Sequence, residues 1–198
     1  MSSPAPDTDA ALPVAGAVLA GGGSRRMGRD KSLVAVDGQP MAARVAASLA
    51  DAGCAPVVVV GGDATRLRSL GLAVIDDRWP GEGPLGAIIT VLRHTSMPTV
   101  VVACDLPWLD PATIMALLPR LPMGPAPDVT VATTGRDEPL CACWMPTALG
   151  VLERQFSDGE RAVHRVLPAL EVLRVPVAAA ALRNVNSPDD LPAPDRSG

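Results

Sequence analysis

A chain of 198 residues that is 48% apolar and 19% charged has the balance of a globular domain and not of a disordered one. Its formal net charge of −4 argues against a general binder of nucleic acid or membrane surfaces. Its longest apolar runs, 55–60 and 176–182, fall far short of the ~20 residues a membrane helix needs.

Residues 1–13 carry no basic stretch ahead of an apolar one, so a short disordered tail is expected there and a secretory leader is not. The run VAGAVLA (14–20) stops at three glycines and reads as a buried strand. PMAARVAASLADA (40–52) has Pro at its first position and Gly53 at its end, the asymmetry of a helix. PVVVV (56–60) is a buried β-branched strand. A short helix at 63–70, a short strand at 72–76, a helix at 84–95 and a buried strand at 99–104 follow. Asp110-Pro111 opens a helix over about 111–119, with Asp as cap and Pro in the first turn. Strands near 128–133 and 139–144, helical segments near 147–156 and 159–168 and a strand near 171–176 complete the pattern. Buried strands alternating with helices predict a Rossmann-like three-layer α/β/α fold with a mostly parallel sheet. One domain over 14–192 is expected, with short tails at 1–13 and 193–198. Ligands of such sheets bind beyond the carboxyl ends of the strands, which directs attention to 21–31, 61–63, 76–84 and 105–108.

The loop after the first strand is LAGGGSRRMGRDKS (19–32). Consecutive glycines let backbone approach a ligand closely, and their free N–H groups form an anion nest. Arg25, Arg26, Arg29 and Lys31 against Asp30 add a local positive charge inside an acidic protein, which makes the segment a phosphate cradle. It is neither of two common cradles. Arg29-Asp30 intervene before the lysine a P-loop needs, and the third glycine of a dinucleotide fingerprint would fall on Arg26. Lys31 is the only lysine among 17 basic side chains, as expected where a compact ammonium cannot be replaced by a planar fork. Asp105 directly follows TVVVAC and is pinned by Leu106-Pro107, a placement suited to holding Mg²⁺. Asp76 and Asp77 follow a short strand, and GPLG (83–86) opens a helix whose N-terminus offers a polar edge. Cys54, Cys104, Cys141 and Cys143 make no disulfide framework at this length. Two positions apart on a strand, Cys141 and Cys143 share one face, and all four read as reduced apolar residues of a cytoplasmic protein.

The glycine-rich segment resembles the signature L-A-G-G-x-S-x-R-M-G-x-D-K of molybdenum cofactor guanylyltransferases, shared by the related cytidylyltransferases and, in variant form, by sugar-nucleotide pyrophosphorylases. EPLCACW (138–144) is similar to the guanylyltransferases' E-P-L-x-A-L-Y strand, and RNVNSPDDL (183–191) to their closing N-[IV]-N-T-P-E-D-L. Cys143, Trp144 and the GDATR stretch (62–66) depart from the family pattern. The resemblance covers about 14–192. It implies transfer of GMP from GTP to the terminal phosphate of molybdopterin, with release of pyrophosphate. It implies Mg²⁺ on Asp105 and catalytic roles for Lys31, Asp105, Arg25 and Arg26. Nucleotide contacts fall on Leu19, Ala20, Gly21, Gly22, Lys31, Asp77, Gly83, Pro84, Leu85 and Asp105, and acceptor contacts on Asn184 and Asn186. Partners are then GTP and the molybdopterin cofactor, with transient contact to other proteins of molybdenum cofactor biosynthesis, and with neither nucleic acid nor membrane. The alternatives are a molybdopterin cytidylyltransferase or sugar-phosphate nucleotidyltransferase and, from a different class, a non-catalytic nucleotide-binding regulator. Retention of both Lys31 and Asp105 argues against the last. The nucleophile would already be an anionic phosphate oxygen, so the chemistry asks for charge neutralisation and in-line positioning, not for a general base.

Overall fold

The computed structural model describes residues 12–21, 30–119, 126–186 and 190. Seven strands form the main sheet. In chain order, β1 (Ala15–Leu19) leads to the short strands β2 (Ala35–Val36) and β3 (Gln39–Pro40), then α1 (Met41–Asp51), β4 (Val57–Val60), α2 (Ala64–Ser69) and β5 (Val74–Ile75). There follow α3 (Pro84–Thr95), β6 (Thr99–Ala103), α4 (Pro111–Leu117), β7 (Val129–Thr133), β8 (Asp137–Trp144), α5 (Leu149–Ser157), α6 (Val163–Val166) and β9 (Val172–Pro176). The sheet order is β5-β4-β1-β6-β8-β7-β9, with β2 and β3 pairing separately as a hairpin. All neighbours in the main sheet are parallel except β8, which runs antiparallel to both β6 and β7.

The α/β/α layering follows from side-chain alternation. Residues of α1, α2 and α4 (Val45, Leu49, Leu67, Ile114, Leu117) pack with Val18, Val100 and Val102 on one face. Residues of α3, α5 and α6 (Ile88, Leu92, Leu152, Val166) pack with Ala17, Leu19 and Val101 on the other. On β8, Cys141 and Cys143 face the first layer while Ala142 and Trp144 face the second, as the period of two requires.

The reversal of β8 sets the site. Gly135, at φ +91°, closes a tight loop between β7 and β8 that an L side chain would strain. The register pairs Thr133 with Asp137 and Ala132 with Glu138. The first residues of β8 therefore lie at the same sheet edge as the carboxyl ends of β1, β4, β6 and β7. The β2–β3 hairpin turns through Asp37 and Gly38, both with positive φ, the geometry of a type I′ turn. Asp37-Gly38 is the dipeptide that such a turn favours, a signal the sequence reading did not use.

Candidate nucleotide and acceptor site

Two clefts open along that edge. The first, about 370 Å³, is lined by Gly21, Gly61, Gly62, Ala64, Ile75, Asp76, Asp77, Pro80 and Gly81, over the ends of β1, β4 and β5. The second, about 340 Å³, is lined by Asp105, Leu106, Arg136, Asp137, Glu138, Leu140, His164, Leu182 and Asn184, over the end of β6 and the start of β8.

Asp30 and Lys31 connect the loops behind them. Asp30 caps a 3-10 turn, Lys31–Leu33, by accepting from the backbone N–H of Ser32 at 3.0 Å and from its hydroxyl at 2.6 Å. Its other carboxylate oxygen accepts from the N–H of Asp63 at 2.6 Å, in the loop after β4. The next residue points the other way. Lys31 Nζ donates to Asp105 Oδ2 at 2.7 Å and to Asn186 Oδ1 at 2.8 Å. Adjacent residues thus span β1 and tie the loop after β4 to the loop after β6. The Lys31 and Asp105 side chains keep 16% and 21% of their exposure. The pair is therefore held out of bulk water yet open to a ligand, where charge is worth more than at a free surface.

The loop carrying Asp105 is braced from three sides. The N–H of Val185 donates to its carbonyl at 2.9 Å, and that of Leu109 to the carbonyl of Leu106 at 3.1 Å. Arg44 Nε donates to the carbonyl of Pro107 at 2.6 Å. The neighbouring Cys104 is buried, and its thiol is pushed up to about 12, first by burial and then by the Asp105 charge. Burial of this kind keeps the thiol protonated and makes it a poor nucleophile.

The expected nucleotide residues divide. Gly21 lines the first cleft, and its N–H lies only 2.7 Å from where a Cβ on Gly61 would sit. Asp77 lines the same cleft and accepts from the N–H of Trp79 at 3.0 Å, which fixes the turn into α3. Leu19 and Ala20 are buried at the end of β1, with their backbones bonded to Cys104 and Val60, so their side chains face the core. Gly83 and Pro84 start α3 but line neither cleft, and Leu85 is fully buried. Pro80 and Gly81, shortly before 83–85 in the chain, line the first cleft. Gly22, Arg25 and Arg26 lie outside the described residues. Asn184 and Asn186 separate as well. Asn184 lines the second cleft, whereas the carboxamide oxygen of Asn186 is spent on Lys31.

The sequence reading took Asp30 only as a counter-charge within the cradle and missed its capping of the turn and its tie to Asp63, whose signal was a carboxylate two residues before a serine. It pointed to 61–63 only through their place after a strand. It missed Arg136 and His164, which no motif marks.

Among the described residues no cluster of three or more His, Cys, Asp or Glu is arranged to hold a metal. A closed protein cage is thereby ruled out for that part of the chain. The donor set fits magnesium, which keeps several waters and binds through one or two carboxylates plus substrate phosphates. Asp105, which lines the second cleft, would be one such carboxylate.

Comparison with known proteins agrees with this geometry. Residues 16–174 match the model of the MobA-like NTP transferase domain. A probable molybdenum cofactor guanylyltransferase of Chloroflexus aggregans is 35% identical over 193 residues, covering 90% of this chain and 91% of the relative. Its counterpart in Mycobacterium tuberculosis is 35% identical over the full length of both chains. The crystal structure of molybdopterin-guanine dinucleotide biosynthesis protein A from Archaeoglobus fulgidus superposes with a TM-score of 0.70 at 27% identity, covering 88% of this chain and 93% of that one. The chain belongs to the MobA-like NTP transferase family and is a nucleotidyltransferase.

Proposed function

We propose that the protein transfers GMP from GTP to the terminal phosphate of molybdopterin in the cytoplasm. The observation that carries this reading is the Lys31 ammonium on Asp105, a residue of the second cleft, on the sheet edge where a first cleft of comparable size also opens. One cleft suits a nucleotide and the other its acceptor. The choice of guanine and of molybdopterin is supported by the names of relatives that match this chain from end to end.

An acceptor phosphate oxygen attacks the α-phosphorus of GTP. The bond from that phosphorus to the bridging oxygen breaks, and pyrophosphate leaves with the electron pair. No proton needs to be removed from the nucleophile. Gly21, Gly61 and Gly62 line the first cleft and offer the nucleotide a surface free of side chains. Lys31 offsets negative charge developing on the phosphates. Arg25 and Arg26 hold the outer phosphates or the acceptor phosphate. Asn184 contacts the acceptor. Asp105 would hold magnesium through its carboxylate. When bound, that ion supplies positive charge that neutralises phosphate oxygens. The four buried thiols fit a reducing compartment.

The test is thermal unfolding with GTP, CTP, ATP or UTP, each with and without Mg²⁺, followed by pyrophosphate release with molybdopterin. A ligand at 100 times its Kd adds about 2.7 kcal/mol, which reads as several degrees. A GTP-specific, Mg²⁺-dependent shift with turnover is expected. A CTP-specific shift would move the protein to cytidylyl transfer, and nucleotide binding without pyrophosphate release would make it a regulator.

A further inference from the structure

The segment 183–186 is held at three of its four residues, Arg183, Val185 and Asn186. The Arg183 guanidinium carbon sits 3.8 Å from the centroid of the Trp108 ring. Val185 is fully buried in a small cluster with Val36 and Met41, and its N–H is bonded to the Asp105 carbonyl. The N–H of Asn186 donates to Asp190 Oδ2 at 2.7 Å. A backbone held in this way presents the Asn186 carboxamide in one place, and that carboxamide oxygen accepts from Lys31 Nζ at 2.8 Å. The neutral oxygen and the Asp105 carboxylate together leave the ammonium two acceptors at a fixed separation.

We propose that Asn186 is a positioning residue for Lys31: its carboxamide aims the ammonium at the phosphates and does not bind the acceptor. Asn184, two residues earlier and lining the second cleft, is the acceptor contact of this segment. The two asparagines thus divide the labour, and the segment between them links the acceptor cleft to the lysine. This rests on the transferase reading above. A side chain acts with full effect only when its orientation is held by partners outside the reacting atoms. Losing such an outer partner lowers activity by about 10- to 100-fold.

Because Lys31 is the only lysine, protein carrying ¹³C at lysine Cε gives one signal that reports the state of this side chain without any substrate. In Asn186→Ala that signal should move and narrow, as the ammonium loses one of its two acceptors. Asn186→Asp keeps an oxygen in the same place and should hold the signal near its wild-type state. With GTP and molybdopterin, Asn186→Ala should lower kcat by about 10- to 100-fold, with Asn186→Asp retaining more. The KM for molybdopterin should stay within about threefold, the signature of an interaction that acts on the transition state and not on acceptor binding. Asn184→Ala should instead raise that KM. An unchanged lysine signal in Asn186→Ala overturns the proposal. So does a raised acceptor KM with kcat retained, which would make Asn186 an acceptor contact. If the wild-type protein transfers neither GMP nor CMP, the transferase reading fails. The placement of Lys31 by Asn186 is then judged on the lysine signal alone.

Discussion

Lys31 ends at a carboxylate and an amide oxygen, and its backbone starts from a turn capped by Asp30. Removing the ammonium or the Asp105 carboxylate takes away a preorganised charge that no other described side chain replaces at the same point. Loss of one such contact typically lowers rate by about 10²–10³. Lys31→Ala and Asp105→Ala should therefore keep a wild-type circular dichroism spectrum while pyrophosphate release falls by that factor. A variant keeping more than a tenth of wild-type turnover would remove its residue from the mechanism. Asp30 acts one step further out. Asp30→Ala deletes the cap on Ser32 and the bond to Asp63. Cap loss costs roughly 0.5–2 kcal/mol, so the variant should melt a few degrees lower. Its kcat/KM for GTP should fall further than Tm implies, since the turn carrying Lys31 is then free to drift. Asp30→Asn keeps one acceptor oxygen for the cap and should recover most of the melting temperature. Differential scanning fluorimetry beside steady-state kinetics separates the two effects.

Helices and strands announced themselves where burial enforced a period. The helix expected at 84–95 forms over Pro84–Thr95, and the buried strand expected at 99–104 forms over Thr99–Ala103. Strand direction was less legible, because Cys141 and Cys143 alternate identically whichever way β8 runs. The reversal was written instead in Gly135, a single residue in a short loop. The pairing of loops across the sheet was invisible as well. Gly61 reads as a permissive residue after a strand, yet its position is fixed by Gly21 on the neighbouring loop. A Cβ on Gly61 would lie 2.7 Å from the Gly21 nitrogen and 2.8 Å from its Cα, whereas one on Gly71 would meet nothing within 4 Å. Both residues have φ near +80°, so Ala at either carries the same left-handed strain of about 1–2 kcal/mol. Only Gly61→Ala adds a backbone clash, of the kind that costs typically 1–3 kcal/mol. Chemical denaturation should show Gly61→Ala less stable than Gly71→Ala by about that amount. GTP should stabilise Gly71→Ala as it does wild type, but Gly61→Ala much less. Equal loss at both sites would mean that the loop after β4 moves aside without consequence for the cleft.

The whole chain has an unusual set of groups that titrate in alkaline solution. It contains no tyrosine and a single lysine, while four free cysteines are buried between the layers. Burial pushes the Cys54 thiol up to about 11, and those of Cys104, Cys141 and Cys143 up to about 12, from an ordinary value of 9.0. The sign follows from proton binding. Below pH 9 the thiols are protonated both folded and unfolded, and their contribution to stability is complete. Above pH 9 the unfolded chain releases protons that the folded one still holds, so stability falls until the folded values are passed near pH 11–12. Each thiol contributes a slope of up to about 1.4 kcal/mol per pH unit. Acting together, the four remove roughly 8 kcal/mol by pH 10.5, within the 5–15 kcal/mol that holds a typical domain folded. Stability should therefore fall steadily as pH rises above 9, and the folded state should be lost more readily in alkaline solution than near neutrality. Cys54→Ala and Cys143→Ala, whose sulfurs lie in the layer shared by α1 and β8, should each flatten the dependence of stability on pH by nearly one proton. Urea unfolding at half-unit steps from pH 8 to 11 measures that slope directly. A stability constant to pH 10.5 would mean that the folded thiols ionise as readily as the unfolded ones and that burial does not hold their protons.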